Sequence, residues 1–174
     1  MNEPRMKKVI LKGHGVVEGK AEGRAIVAKH AFAFPHGVDP RTGIITDIRH
    51  ELRGESIANR VFVYPYGRGS TTGDLWMLET ARHGKCPAAI INLETDAITV
   101  AGSVLSFLIY GRRMPIIEKL NRDPLETIKT SDYVRVDGKT GVVEILKNDM
   151  TNRTNYGSSS RPLRLKSRET GLLT

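Results

Sequence analysis

The chain has 174 residues, a formal net charge of +8, 39% hydrophobic and 26% charged residues, and one cysteine. That length and balance suit one globular domain with a sizeable core. A lone thiol forms no internal disulfide and by itself holds neither zinc nor an iron–sulfur cluster, the five histidines show no His-x-x-x-His spacing, and no apolar run approaches the ~20 residues of a membrane span.

The charged start, Met1 to Lys8, runs into strand-like sequence without the apolar core of a signal peptide. The expectation is a cytoplasmic protein with no membrane partner. Lys8–Leu11 predicts a short strand, and the glycine-punctuated stretches Gly15–Gly19 and Gly23–Ala28 predict two more. Phe34–Gly43, FPHGVDPRTG, is a loop by composition, and Ile44–Ile48 predicts a further strand. The middle of the chain changes character. Val61–Tyr64 predicts a strand, Asp74–His83 a helix and Ala88–Asn92 an apolar strand. A second helix runs from Asp96 to Tyr110, with Ile98, Ala101, Leu105 and Leu108 at the spacing of one helical face, and Gly111 ends it. Pro115–Ile117 predicts a short strand. Strand–helix–strand–helix–strand implies a parallel sheet with right-handed crossovers. Tyr133–Val136 and Gly141–Ile145 flank Asp137-Gly138, a hairpin signal. The expectation is therefore an α/β domain over residues 1–146, with a β-rich N-terminal part and a C-terminal hairpin. Residues 147–174 read as a basic tail, flexible or ordered by a partner. Cys86 is expected to be a small buried side chain.

One corner concentrates unusual residues. YPYGRGSTTGDLW, Tyr64 to Trp76, joins the end of a strand to the start of a helix with three glycines, one arginine, one serine and two threonines. Ligands of open α/β sheets bind beyond the carboxyl ends of the strands. Thr71-x-x-Asp74 fits a capping box with Thr71 as N-cap, which places Ser70 one residue outside the helix, facing its free N–H groups and positive dipole end. Gly67, Gly69 and Gly73 allow close approach, and Arg68 adds a cation suited to carboxylate or phosphate. The stretch reads as an anion cradle with a serine at its lip. It lacks the spacing of a P-loop and of a Gly-x-Ser-x-Gly nucleophile elbow. On composition alone, a glycine-rich turn with a good cap accounts for it equally well.

YGRGSTTGD, taken with FPHGVDPRTGIITD, GKCPAAIIN and MPII in that order, resembles the small, swivelling subunit of the aconitase X family, over roughly Gly13 to Ile145. The resemblance implies a swivelling β/β/α fold and a hydro-lyase activity. It implies a partner, a cysteine-bearing large subunit that carries a 4Fe-4S cluster, with no cofactor or metal bound by this chain. It implies that Ser70 is the proton acceptor and makes Arg68, Gly69, Thr71 and Thr72 the substrate-binding candidates. Asp39 and Arg41 are candidates to line the cleft or meet the large subunit; their competing reading is that they build turns. The archaeal two-subunit form, which the chain resembles most, dehydrates a small phosphorylated hydroxy acid, (R)-5-phosphomevalonate, to trans-anhydromevalonate 5-phosphate in a modified mevalonate pathway. Bacterial relatives dehydrate cis-3-hydroxy-L-proline. Two other classes compete. A basic nucleic-acid-binding module would explain the charge, but a recognition motif is missing and a nucleic-acid partner is not expected. A self-contained serine hydrolase would need one of His14, His30, His36, His50 or His83 beside Ser70.

Overall fold

The computed structural model of the chain describes residues 7–69 and 71–147. Eleven elements are described: strands β1 (Lys7–Lys12), β2 (His14–Val17), β3 (Lys20–Val27) and β4 (Val61–Tyr64), helix α1 (Gly73–Arg82), β5 (Ala89–Asn92), α2 (Ala97–Tyr110), β6 (Ile116–Glu118), the short α3 (Pro124–Thr127), β7 (Tyr133–Asp137) and β8 (Val142–Lys147). The strands follow the order β1-β8-β7-β3-β4-β5-β6-β2. β4, β5 and β6 are parallel, as crossovers through α1 and α2 require. β7 and β8 form the expected hairpin.

β3 belongs to two sheets. Lys20–Arg24 pairs antiparallel with β7, whereas Ala25–Val27 pairs parallel with β4. The two end strands of the order, β1 and β2, are separated in the chain by Gly13 alone. Alternation along the central strands sorts two cores. Phe62, Tyr64, Ile90 and Ile116 face one side, with Met77 and Ala81 of α1. Val61, Val63, Ala89, Ile91 and Ile117 face the other, with Val134, Val136, Val143 and Ile145 of the hairpin.

Two expectations need correction, and one element was missed. Ile44–Ile48 is not a strand: Ile44 and Ile45 make only isolated bridges, to Ser56 and Val38. Ile45 is buried while Ile48 is exposed. The segment between β3 and β4 is a packed loop whose Phe32, Phe34, Val38, Ile45 and Ile57 enter the first core singly. Helix α2 turns a different face inward than its apolar spacing implies. Its buried residues are Thr99, Gly102, Ser103 and Ser106, while Leu108 is 70% exposed. Close approach of α1 is the reason: a Cβ at Gly102 would lie 2.7 Å from Met77 Sδ and 3.1 Å from Asp74 Cα. Ser103 and Ser106 satisfy their hydroxyls on the carbonyls of Met114 and Gly102. Val104, Phe107, Leu108 and Ile109 are left outside on a helix without a charged residue. Last, α3 was not foreseen, although Asp123-Pro124 carries its signal: the Asp123 carboxylate accepts from Leu125 N–H and proline opens the helix. The tail expectation, from residue 148 on, lies outside the described residues, and no described helix is long and apolar enough to cross a membrane.

The long β3–β4 segment is pinned by Glu51. Its carboxylate accepts from the backbone N–H groups of Lys29 (2.6 Å) and His30 (3.1 Å) and lies 2.8 Å from His30 Nδ1. Partial burial pushes the Glu51 carboxyl up, but these hydrogen bonds outweigh burial and hold it at about 2, below its ordinary 4.5. A carboxyl lowered on folding contributes stability that is complete above the unfolded value and lost as pH falls toward the folded one. Thermal melts of wild type should therefore lose stability more steeply from pH 4.5 down to 2 than melts of Glu51→Gln, and equal slopes would show that these bonds contribute nothing.

Candidate functional site

The corner after β4 is held from two sides. Phe32, buried and in edge contact with Phe34 and Phe62, runs beside it in an isolated parallel bridge to Gly67. Phe32 N–H donates to Tyr66 O, and Arg68 N–H donates to Phe32 O at 2.8 Å. On the other side, Leu93 and Glu94 N–H donate to Pro65 O. The backbone leading into the glycines is thus fixed by hydrogen bonds to segments far away in sequence.

Helix α1 starts one residue later than the capping-box pattern implies. Its N-cap is Thr72, whose side chain makes no cap hydrogen bond, and the Asp74 carboxylate accepts from Leu75 N–H instead of reaching back. The start follows tertiary packing: a Cβ at Gly73 would lie 2.9 Å from Ile98 Cγ2 of α2, so the first turn must carry glycine where the helices touch. Thr71 is exposed and outside the helix, as is Gly69, where an added Cβ would meet open space. Ser70 lies outside the described residues; in sequence it stands two positions before the N-cap.

A small cavity opens at this corner. Its lining includes Gly67, Arg68, Gly69 and Gly73, with Phe32 and Pro35 on one wall and Asp96, Ile98 and Thr99 on another. The starts of both helices therefore meet at the glycines, although the chain pattern pointed to α1 alone. The cavity holds about 30 Å³, room for about one water and far below the ~300 Å³ at which ligand pockets begin. A ligand of drug or metabolite size placed there would need a second surface to enclose it. A larger hollow of about 410 Å³ over β3, β7 and β8 shares no lining residue with the corner, and its charged residues are paired, Lys20 with Asp137, Arg135 with Glu22 and Glu144 with Lys8 of β1.

Arg68 is exposed, and its Nη2 lies 3.3 Å from Asp47 Oδ2. The cradle's cation is thus tethered to the β3–β4 segment and already partly neutralised, which sequence reading missed because Asp47 is 21 residues away. Asp39 and Arg41 are not among the residues lining the cavity. The Asp39 carboxylate accepts from Arg41 N–H and from the Thr42 hydroxyl, closing a turn. These bonds, together with the charges of Arg41 and His83, hold its carboxyl below the usual range, His83 being at the far end of α1. No histidine lines the cavity. Cys86 is buried, and burial pushes its thiol up against the opposing charge of Arg112. Among the described residues no three His, Cys, Asp or Glu side chains gather as a metal site, so these residues do not fit an iron–sulfur cluster. Glu79 and Arg82 pair with each other at 2.6 Å on the solvent side of α1, and Trp76 Nε1 donates to Val38 O.

Residues 10–145 match the family model of the aconitase X swivel domain. The phosphomevalonate dehydratase small subunit of Methanosarcina acetivorans is 37% identical over 142 residues, covering 82% of this chain and 94% of that protein. That of Methanosarcina mazei is 39% identical over 142 residues with the same coverage. Among solved structures, holo-form aconitase X of Thermococcus kodakaraensis superposes with a TM-score of 0.72 at 39% identity, covering 80% of this chain and 99% of the other.

Proposed function

The chain belongs to the aconitase X swivel-domain family, and from that premise we propose that it is the small subunit of a two-chain dehydratase acting on (R)-5-phosphomevalonate to give trans-anhydromevalonate 5-phosphate. The observation that carries this reading is identity of 37–39% across 94% of the length of two relatives named as phosphomevalonate dehydratase small subunits. The name small subunit implies a large-subunit partner. The corner supports the same division of labour, since a 30 Å³ cavity leaves most of the substrate to be enclosed by another surface. A partner also gives the uncharged outer face of α2 something to bury against.

In this reading the 4Fe-4S cluster resides on a cysteine-bearing large subunit and supplies Lewis-acid chemistry there when bound. This chain contributes the base. Ser70 accepts the proton from the carbon next to the substrate carboxylate. A serine hydroxyl is a weak base unless its alkoxide is stabilised, and the helix N–H groups and Arg68 are the stabilising elements at hand. Arg68, exchanging Asp47 for a substrate anion, holds the carboxylate or phosphate with the backbone of Gly69, Thr71 and Thr72. A large cysteine-bearing chain of the family, purified with this one, tests the reading. The pair is expected to dehydrate (R)-5-phosphomevalonate, and this chain alone is expected to show neither turnover nor bound iron. A pair that dehydrates cis-3-hydroxy-L-proline instead, or turnover by the isolated chain, would overturn it.

A further inference from the structure

Asp96 sits where α2 begins and uses its two carboxylate oxygens differently. Oδ1 caps the helix, accepting Thr99 N–H at 2.9 Å, and Oδ2 accepts the Thr99 hydroxyl, also at 2.9 Å. The cap needs only the first bond. The second holds Oδ2 against the glycine corner: a Cβ at Gly67 would lie 2.0 Å from Oδ2 and 3.1 Å from Cγ. The carboxylate thus fills the space a side chain at position 67 would take. Asp96 and Thr99 also share the cavity wall with Gly67, Arg68 and Gly69.

We propose that Asp96 is a positioning residue. Locked by Thr99, its carboxylate packs against the Gly67 backbone and sets the course of Gly67–Gly69, and with it the placement of Arg68. Opposite it the Arg68 N–H bond to Phe32 O holds the same turn, so the corner is clamped between α2 and the β3–β4 segment. A misplacement of about 1 Å at a reacting centre costs on the order of 100-fold in rate, so such a clamp has a kinetic consequence. That consequence rests on the dehydratase reading; the clamping of the turn does not.

Two substitutions separate this role from a helix cap and from proton transfer. Asp96→Ser keeps a good N-cap but is too short to reach Gly67. Asp96→Asn keeps both cap and shape, its amide donating to the Thr99 hydroxyl, but cannot exchange a proton. In the full chain, hydrogen exchange of the Arg68 N–H is expected to rise about tenfold or more in the serine variant and stay near wild type in the asparagine variant, with the α2 interior unchanged in both. In the assembled enzyme the serine variant is expected to lose about tenfold or more in kcat, and the asparagine variant to keep kcat within about threefold with an unchanged pH profile. Unchanged Arg68 exchange in the serine variant would overturn the proposal, and so would an asparagine variant as slow as the serine one or with a displaced pH profile. Should exchange respond as expected while the wild-type pair dehydrates nothing, the clamp stands and the dehydratase reading falls.

Discussion

Replacing Ser70 with alanine in the assembled two-chain enzyme is expected to lower turnover by ~100-fold or more, the usual scale for removing a positioned acid–base group. Folding and assembly should survive. In sequence the position stands two places before the N-cap of α1, outside the helix, and its neighbours Gly69 and Thr71 are exposed. Substrate affinity should change much less than turnover, because Arg68 and the backbone of the corner still face the anion. Single-turnover kinetics, a substrate titration and a melting curve on the same preparation distinguish these effects. Turnover near the wild-type rate would return the serine to turn structure and remove the base from the mechanism proposed above.

Gly15→Ala is expected to be strongly destabilising. A Cβ there would lie 1.8 Å from the carbonyl oxygen of Gly138 and 2.9 Å from its carbon. The obstacle is backbone and is tied down. Gly138 N–H donates to Gly19 O, Gly13 N–H donates to Gly141 O, and a Cβ at Gly138 would itself meet Val17 O at 2.2 Å. Relief would need β2 to leave β6, with which Gly15 is registered opposite Ile117. Overpacking against a backbone that cannot yield belongs at the upper end of such costs, about 3 kcal/mol, or a fall of ~10 °C in melting temperature for a domain of this size. Gly69→Ala is the control: an added Cβ there meets nothing within 4 Å, so its melting temperature should match wild type. Equal melting temperatures for the two variants would mean that the seam between β2 and the β7–β8 turn is looser than these distances imply.

The contrast between the two glycines marks a boundary of legibility. From sequence both were punctuation, one breaking a strand and one lining a cradle. What separates them is a carbonyl 123 residues further along the chain. Asp47 and Asp96 were likewise ordinary acidic residues in sequence, the latter a helix start. Only the fold brings one to Arg68 and the other to Gly67.

By itself the sequence determined the succession β4–α1–β5–α2–β6 to within a residue or two at each boundary, the closing hairpin and the place of the glycine corner after β4. These follow from local physics: alternating or helical apolar spacing, glycine and proline stops, and an Asp-Gly turn act over a few neighbouring residues. The family resemblance rested on the same kind of local pattern and extended to the fold. Tertiary structure alone decided that β3 divides between two sheets, that the β3–β4 segment is a packed loop rather than a strand, that α2 buries its serines and glycine rather than Leu108, and that α1 starts at Gly73. Each of these turns on how closely two backbones far apart in sequence approach, and periodicity along the chain records which residues are apolar but not which neighbour will press against them.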